Sequence, residues 1–182
     1  MMWRRSKPLA AIDPVSAALS PPKLLSEEDF AQLVRSAPLV AIDLIIRNRE
    51  GKVLVALRNN EPAKGYLFNP GGIVLKGEPI EAAFERIIAR ETGCRLTYKS
   101  ARFLGVYQHF YRSSRSGPGG SGTHYVVLAH DVAMHEDDAI KLDETHSMYQ
   151  WLSESEILAN PDVHEYTKDY FRPVRRTHHA PM

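Results

Sequence analysis

Apolar and polar side chains follow one another along residues 69–94 in a pattern that predicts a glycine turn and one amphipathic helix. From Ile80 onward, apolar residues recur at the i, i+3, i+4, i+7 and i+8 spacing of a helix face that packs on a core. A Gly-Glu-Pro sequence before Ile80 is typical of a helix start, and Gly93 is typical of a helix end. The predicted core-facing residues are Ile80, Ala83, Phe84, Ile87 and Ile88.

The next position on this helix face is Glu91, about 20° from Ile80 at roughly 100° per residue. A carboxylate that is buried without a counter-charge, a metal ion or a proton is costly. Glu91 is therefore the first candidate functional residue. The alternative, that the helix ends here and Glu91 points to water beside Gly93, stays open at this point.

The rest of the chain predicts alternating strands and helices, which is an α/β pattern. Period-2 alternation predicts strands at 39–46, 52–58, 95–98, 103–111 and 123–132. Helix signals predict a capped helix from Ser26, a short helix from Ser153 and a last helix at 163–171. A Gly/Ser-rich loop at 112–122 joins the two longest strands into a hairpin.

Composition and charge narrow the function. The chain has 182 residues, 25% charged residues and a net charge of +1, which gives no support to nucleic-acid or membrane-surface binding. The single cysteine, Cys94, fits a reducing compartment, and no apolar run approaches the ~20 residues of a membrane span. We expect a cytoplasmic protein with a flexible extension at 1–24, one domain at 25–171 and a disordered basic tail at 172–182.

Several polar residues on the predicted strands have two interpretations. Asp43 interrupts an apolar run, which at an edge or solvent-facing position needs no function. Arg58 at the end of its strand reads as a surface arginine, and a strand histidine such as His109 is more often packed than a ligand. The loop 141–146 carries acids and a histidine, which is typical of both catalytic and solvated loops.

The glycine turn and helix also carry a family pattern. Gly72, five residues, Glu78, seven residues, Arg86, and then Glu91, Gly93 and Cys94 resemble the Nudix box, G-x5-E-x7-R-E-U-x-E-E-x-G-U. Ile87 and Arg90 stand where the box has two further glutamates. A box that keeps only the last glutamate resembles the GDP-mannose mannosyl hydrolase subfamily. The resemblance extends over about 25–171, through SEEDFAQLVRSAPLVAID, NNEPAKGY, GVYQHFY, THYVVL, LDETH and YQWL.

This resemblance implies a Nudix fold, a mixed β-sheet sandwiched between α-helices, and a Mg²⁺-dependent hydrolase of a GDP-sugar in which Mn²⁺ substitutes. It implies water attack at the anomeric carbon with inversion, giving GDP and the free sugar. It also implies a homodimer, to which the helix after Ser26 contributes; docking of that helix on its own domain is the alternative.

The resemblance assigns roles residue by residue. The metal ligands are the carbonyl of Gly71, the carboxylate of Glu91 and Thr145, and the last stands where the subfamily has a glutamine. The catalytic residues are His146 as general base, with Arg58 and Arg86 on the diphosphate. The substrate-binding residues are Asp43, Arg58, His109 and Tyr125.

Two departures weaken full activity on GDP-mannose. Thr145 stands where the subfamily has a metal-ligating glutamine. Ile73 stands where the subfamily has a phosphate-contacting arginine, and loss of one such cation typically costs about 10²–10³ in rate. A pyrophosphohydrolase on another nucleoside diphosphate derivative, and a nucleotide-sugar binding module without turnover, are therefore the competing hypotheses.

Overall fold

The computed structural model describes residues 25–113, 122–134, 140–141 and 146–173. Its helices are α1 (Glu27–Ser36), α2 (Ile80–Thr92), α3 (Glu154–Ala159) and α4 (Glu165–Asp169), with a 3-10 turn at Tyr98–Ser100. Its strands are β1 (Leu39–Arg47), β2 (Val53–Arg58), β3 (Leu67–Phe68), β4 (Gly71–Ile73), β5 (Ala101–Tyr111), β6 (Thr123–Ala133) and β7 (His146–Leu152).

The strands form one mixed sheet in the order β3-β2-β1-β6-β5. β1 and β6 run parallel along their whole length, whereas the other pairs are antiparallel. β1 pairs with β2 only at Arg47 and Val53, and its other half pairs with β4 at Ala41, Ile42 and Asp43. The sheet is therefore split between β1 and β2, and the short strand β4 lies in the opening.

Two hydrophobic cores lie on the two faces of this sheet. The even-numbered residues Ile42, Leu44 and Ile46 of β1 pack with the apolar face of α2. The odd-numbered Ile45 packs in a second cluster with Ile157 of α3 and with residues near α4. Because successive side chains of a strand point to opposite faces, β1 is buried on both sides. The predicted α/β/α sandwich is confirmed.

Helix α2 matches its sequence pattern. Ala83, Phe84, Ile87 and Ile88 are fully buried, and Gly93 ends the helix in the left-handed region with φ 75°. Glu91 is 2% exposed, so its side chain is buried and does not point to water. The interpretation of Glu91 as a buried polar residue is the correct one.

Three predictions about local structure are wrong. Residues 95–97 form no strand, because Tyr98 turns into a 3-10 helix and packs its ring edge on Phe84. His146 is the first residue of β7 and is buried, where a polar loop was expected. Arg172 was assigned to a disordered tail, but it forms ion pairs with Glu165 and Asp169.

The expectations for the extension at 1–24, for most of the loop at 112–122, for Thr145 and for the tail at 174–182 fall outside the described residues. Within the described ranges, no helix is long and apolar enough to cross a membrane.

His130 of β6 generates a prediction about pH and stability. The ring is 1% exposed among Phe84, Tyr98 and Phe103, and burial lowers its pKa, partly offset by the carbonyl of Leu128. A lowered folded-state pKa stabilises the fold above the unfolded pKa near 6.5, and this stabilisation is lost as the pH falls through the folded-state pKa. We expect His130→Gln to unfold with a shallower pH dependence than the wild type between about pH 6.5 and 5.

Urea unfolding across this pH range measures the difference. Each unit by which the pKa is lowered corresponds to about 1.4 kcal/mol of unfolding free energy. Identical slopes for the wild type and His130→Gln would contradict the prediction.

Candidate active site

A cavity of about 340 Å³ lies at the split in the sheet. Strand register explains its wall on β1, β6 and β5, because Asp43 and Ala41 of β1 share one face with Tyr125 and Val127 of β6 and with His109 and Tyr111 of β5. The opposite wall comes from β4 and α2, through Gly71, Gly72, Ile73, Arg86, Arg90 and Glu91. Residues far apart in sequence therefore meet at one opening.

Asp43 is buried on the cavity floor, with 6% exposure. The hydroxyl of Tyr170 donates to Asp43 Oδ2 at 2.6 Å and lies 3.3 Å from His109 Nε2. Tyr166 stacks on the His109 ring with 4.1 Å between the centroids and 7° between the planes. Asp43, His109 and two tyrosines near the C-terminus thus form one polar and aromatic cluster, which excludes the solvent-facing interpretation of Asp43.

Burial sets the protonation of this cluster. Burial lowers the pKa of His109, and Asp43 and Asp169 offset that effect only in part. His109 is therefore neutral at neutral pH. Burial, together with Asp43, raises the pKa of Tyr170 well above its usual value, so its hydroxyl stays a donor. The two side chains that flank Asp43, His109 and Tyr170, are therefore neutral hydrogen-bonding groups.

Gly71 lies against Asp43 so closely that no side chain fits. A Cβ at Gly71 would lie 2.6 Å from Asp43 Oδ1 and 2.8 Å from the Ile42 carbonyl oxygen. Glycine is the residue that permits such a close approach of two backbones. The sequence predicted a turn at Gly71 and Gly72, but these glycines begin the strand β4, which pairs with β1. This strand joins the α2 side of the cavity to the Asp43 cluster.

Arg86 holds the loop between β4 and α2. Its Nε and Nη2 donate to the two oxygens of Glu78 at 2.6 and 2.8 Å, and Nη2 also donates to the Ile73 carbonyl at 2.9 Å. Hydrogen bonds from Arg86 lower the pKa of Glu78. Arg86 lines the cavity, and its guanidinium is held by Glu78 and by the Ile73 carbonyl.

Arg58 ends β2 and lines the cavity with its guanidinium close to Phe68. Its Nε donates to the Pro62 carbonyl at 2.9 Å, which holds the side chain beside the 59–62 loop. The loop and the strand end therefore position one cation at the cavity wall.

Glu91 is the one carboxylate of the box that reaches the cavity from α2. Arg90 donates from Nε to Glu91 Oε1 at 3.0 Å and from Nη2 to the same oxygen. On the other side, His146 Nδ1 lies 3.5 Å from Glu91 Oε2. The His146 side chain is 1% exposed and does not line the cavity, so it supports Glu91 from behind.

The described residues supply part of the coordination sphere of a magnesium ion. Among them, no three His, Cys, Asp or Glu side chains form a metal-binding group. Mg²⁺, however, is commonly held by one or two carboxylates with substrate phosphates and water. The buried carboxylate of Glu91 already accepts from a cationic group, Arg90, which shows that this position favours positive charge.

Sequence reasoning located much of this site but missed its floor. The structure brings together Asp43, Arg58, Gly71, Arg86, Glu91, His109 and Tyr125 around one cavity, whereas His146 lies just behind it. Tyr166 and Tyr170 were not singled out. Their i, i+4 spacing in the predicted last helix was the available signal, because residues four apart share a helix face.

The comparisons agree with this architecture. The NUDIX domain family model matches residues 37–173. The chain is similar to the low-salt glycan biosynthesis protein Agl8 of Haloferax volcanii, with 37% identity over 135 residues, which are 74% of this chain and 83% of that protein. It is also similar to an ADP-ribose pyrophosphatase of Methanocaldococcus jannaschii, with 44% identity over 78 residues, which are 43% of this chain and 44% of that protein.

A solved structure has the same fold. The MutT NUDIX hydrolase from Burkholderia pseudomallei superimposes with a TM-score of 0.62 at 26% identity, covering 76% of this chain and 99% of that one. The match of the family model over three quarters of the sequence, the α/β/α sandwich and the site at the glycine turn and α2 agree with one another. The chain belongs to the NUDIX domain family and has the fold of a Nudix hydrolase.

Proposed function

We propose that this protein hydrolyses a GDP-sugar, GDP-mannose first among them, at the anomeric carbon of the sugar. One observation carries the proposal: Glu91 is the only box carboxylate that reaches the described cavity. Ile87, at the place of one box glutamate, is fully buried on the core-facing side of α2. Arg90 brings a cation to the place of the other glutamate. Cleavage at phosphorus needs a metal-held water next to the bridging phosphate and thus more carboxylate ligands.

Attack at carbon places different demands on the protein. A water oxygen bonds to the anomeric carbon, the bond from that carbon to the phosphate oxygen breaks, and its electron pair leaves with GDP. The proton of the water goes to a general base, and the configuration at carbon inverts. Mg²⁺ held by Glu91, the Gly71 carbonyl and Thr145 would neutralise the charge that develops on GDP.

The chain's own residues divide this work. Arg58 contacts the diphosphate, and Arg86 acts through Glu78 by fixing the loop between β4 and α2. Asp43, His109 and Tyr125 bind the sugar end, where a carboxylate and neutral donors suit hydroxyl groups. His146 is the base that the resemblance implies. It lies 3.5 Å behind Glu91 and outside the described cavity lining, so it reaches a water there only if the start of β7 moves toward the cavity when substrate binds. Apo geometry at such contacts is often long and tightens when substrate binds.

The relatives support both the leading and the competing function. A relative named for glycan biosynthesis fits a nucleotide-sugar substrate. A relative named ADP-ribose pyrophosphatase favours pyrophosphate cleavage of a nucleoside diphosphate derivative. The third candidate, binding without turnover, derives from Ile73 and Thr145. An aliphatic side chain cannot stabilise a developing charge, and the threonine stands where the subfamily has a metal-ligating glutamine.

Product identity tests the reaction. We expect ³¹P and ¹H NMR of the protein with GDP-mannose and Mg²⁺ to show GDP and β-mannose, because water attacks opposite the leaving group. GMP with mannose 1-phosphate would replace the proposal by pyrophosphate cleavage. Tight binding of GDP-mannose without any product would replace it by the binding function.

Two variants test the Glu91–His146 unit. We expect Glu91→Gln to lower kcat by about 10²–10³, because the amide removes the charge at the metal position. We expect His146→Gln to lower kcat by about 10²–10⁴ and to remove the acidic limb of the pH–rate profile. Glu81→Gln, an exposed glutamate in the first turn of α2, is the matched control and should leave kcat unchanged.

Either assignment can fail separately. Unchanged turnover in Glu91→Gln would remove the metal-ligand role. An unchanged acidic limb in His146→Gln would place the base elsewhere.

We propose that the protein is a cytoplasmic homodimer. Helix α1 buries none of its own residues, and an apolar strip beside it stays open on the α2 face of the sheet. This strip contains Val40, Val106 and Phe110, which are 43%, 61% and 61% exposed. A second copy of the chain would cover it.

Light scattering after size exclusion tests the dimer. We expect about 41 kDa for the wild type, twice the 20.5 kDa of the chain. Val106→Asp with Phe110→Asp should give the monomer mass, because charges in an apolar interface are costly to bury. A monomeric wild type would contradict the dimer.

A further inference from the structure

The glycine strand β4 contributes no cationic side chain to the cavity. Ile73 follows Gly71 and Gly72 in β4 and lines the cavity with an aliphatic side chain. A diphosphate carries about two negative charges, which in a partly buried site need charge-assisted hydrogen bonds. Another residue must therefore supply positive charge at the turn if the cavity binds a diphosphate.

Three arginines line the cavity, and two of them are engaged with other parts of the protein. Arg86 donates from Nε and Nη2 to both oxygens of Glu78, which does not line the cavity, and from Nη2 to the Ile73 carbonyl, so its guanidinium is held at the loop between β4 and α2. Arg58 is tied to the carbonyl of Pro62 at the opposite wall. Neither arginine places a positive charge on the cavity side of Gly71 and Gly72, where Ile73 supplies none.

Arg90 lies at this place. Its Nη2 is so close to Gly72 that a Cβ built there would lie 3.0 Å away. Its side chain is 48% exposed, against 30% for Arg86, so it borders the open part of the cavity. From the last turn of α2, the guanidinium thus lies beside Gly72 of β4.

The ion pair with Glu91 holds Arg90 in position. Arg90 Nε and Nη2 both donate to Glu91 Oε1, so the planar group is oriented by a buried carboxylate. A guanidinium carries five donors in a fork that matches phosphate oxygens. An arginine oriented in this way loses less conformational entropy when it binds an anion.

The charge balance of the cavity agrees with such a role. Among the described residues, the lining has three arginines and three carboxylates, Asp43, Glu61 and Glu91, so the formal charges cancel. Without Arg90, these residues would carry one net negative charge, which disfavours a diphosphate. The arginine at the position of a box glutamate therefore removes a net negative charge from the described lining.

We propose that Arg90 binds the diphosphate of the substrate beside Gly71 and Gly72 of β4. It supplies there the positive charge that Ile73 does not. The proposal rests on the proposed function only in the ligand class, a nucleoside diphosphate derivative. It holds for GDP and ADP alike, because Arg90 contacts phosphate and neither base nor sugar.

Calorimetric titration with GDP, ADP and inorganic pyrophosphate tests this, with Mg²⁺ and with EDTA. We expect Arg90→Ala to weaken each ligand about tenfold to hundredfold, since hydrogen bonds between charged groups are lost. Arg90→Lys should weaken them less, because it keeps the charge and loses the fork. Arg102→Ala is the matched control, since Arg102 is an exposed arginine outside the cavity, and it should bind as the wild type does.

Mn²⁺ binding without nucleotide separates contact from positioning. If Arg90 contacts phosphate, Arg90→Ala should bind Mn²⁺ as tightly as the wild type or more tightly, because a cation no longer competes for Glu91. A loss of Mn²⁺ affinity as large as the loss of GDP affinity would show that Arg90 acts only through Glu91, and would overturn the proposal.

Other results of the nucleotide titration also test the role of Arg90 and the proposed function. Equal GDP affinity of the wild type and Arg90→Ala would overturn the proposal and leave the proposed function standing. Binding of ADP but not GDP by the wild type would overturn the GDP-sugar function, while the loss of ADP affinity in Arg90→Ala would still support Arg90. Binding of none of the three ligands would overturn both. If Arg90→Ala lowers Tm, Arg90→Lys with a wild-type Tm decides.

Discussion

The buried carboxylate of Glu91 is the constraint on which the site depends. A charge at the end of an apolar helix face must be matched, and the chain matches it with the guanidinium of Arg90, while the His146 ring lies 3.5 Å from the other carboxylate oxygen. This requirement brings the last turn of α2 to the cavity and the start of β7 behind it. The geometry of the site follows from the cost of placing one negative charge in a core.

The split sheet gives this charge something to act on. Because β1 leaves β2 for β4 halfway along its length, groups from both layers reach one opening. The α2 side supplies charged groups, and the α4 side supplies Asp43 with aromatic and hydroxyl groups. An elongated ligand with a diphosphate in the middle and a sugar at one end matches this order.

The sequence predicted the elements with a strong period and the residues with a strong motif. Helix α2 and the hairpin of β5 and β6 are confirmed because their burial follows local periodicity. The strand expected at 95–98 is absent because Tyr98 packs on Phe84, a tertiary contact that local pattern does not contain. The positions of Arg86, His146 and Tyr170 depend on partners eight to 127 residues away, which no spacing rule predicts.

The docking of α4 has a consequence for the order in which the protein becomes competent to bind. Thr167 donates to Asn69 at 2.9 Å, and Tyr170 donates to Asp43, so the cavity floor joins residues near opposite ends of the domain. During synthesis, the box helix and the glycine turn leave the ribosome long before these tyrosines do. A nascent chain that already carries Glu91 and Arg90 still lacks the closed floor, and the ligand site is among the last parts of the domain to be completed.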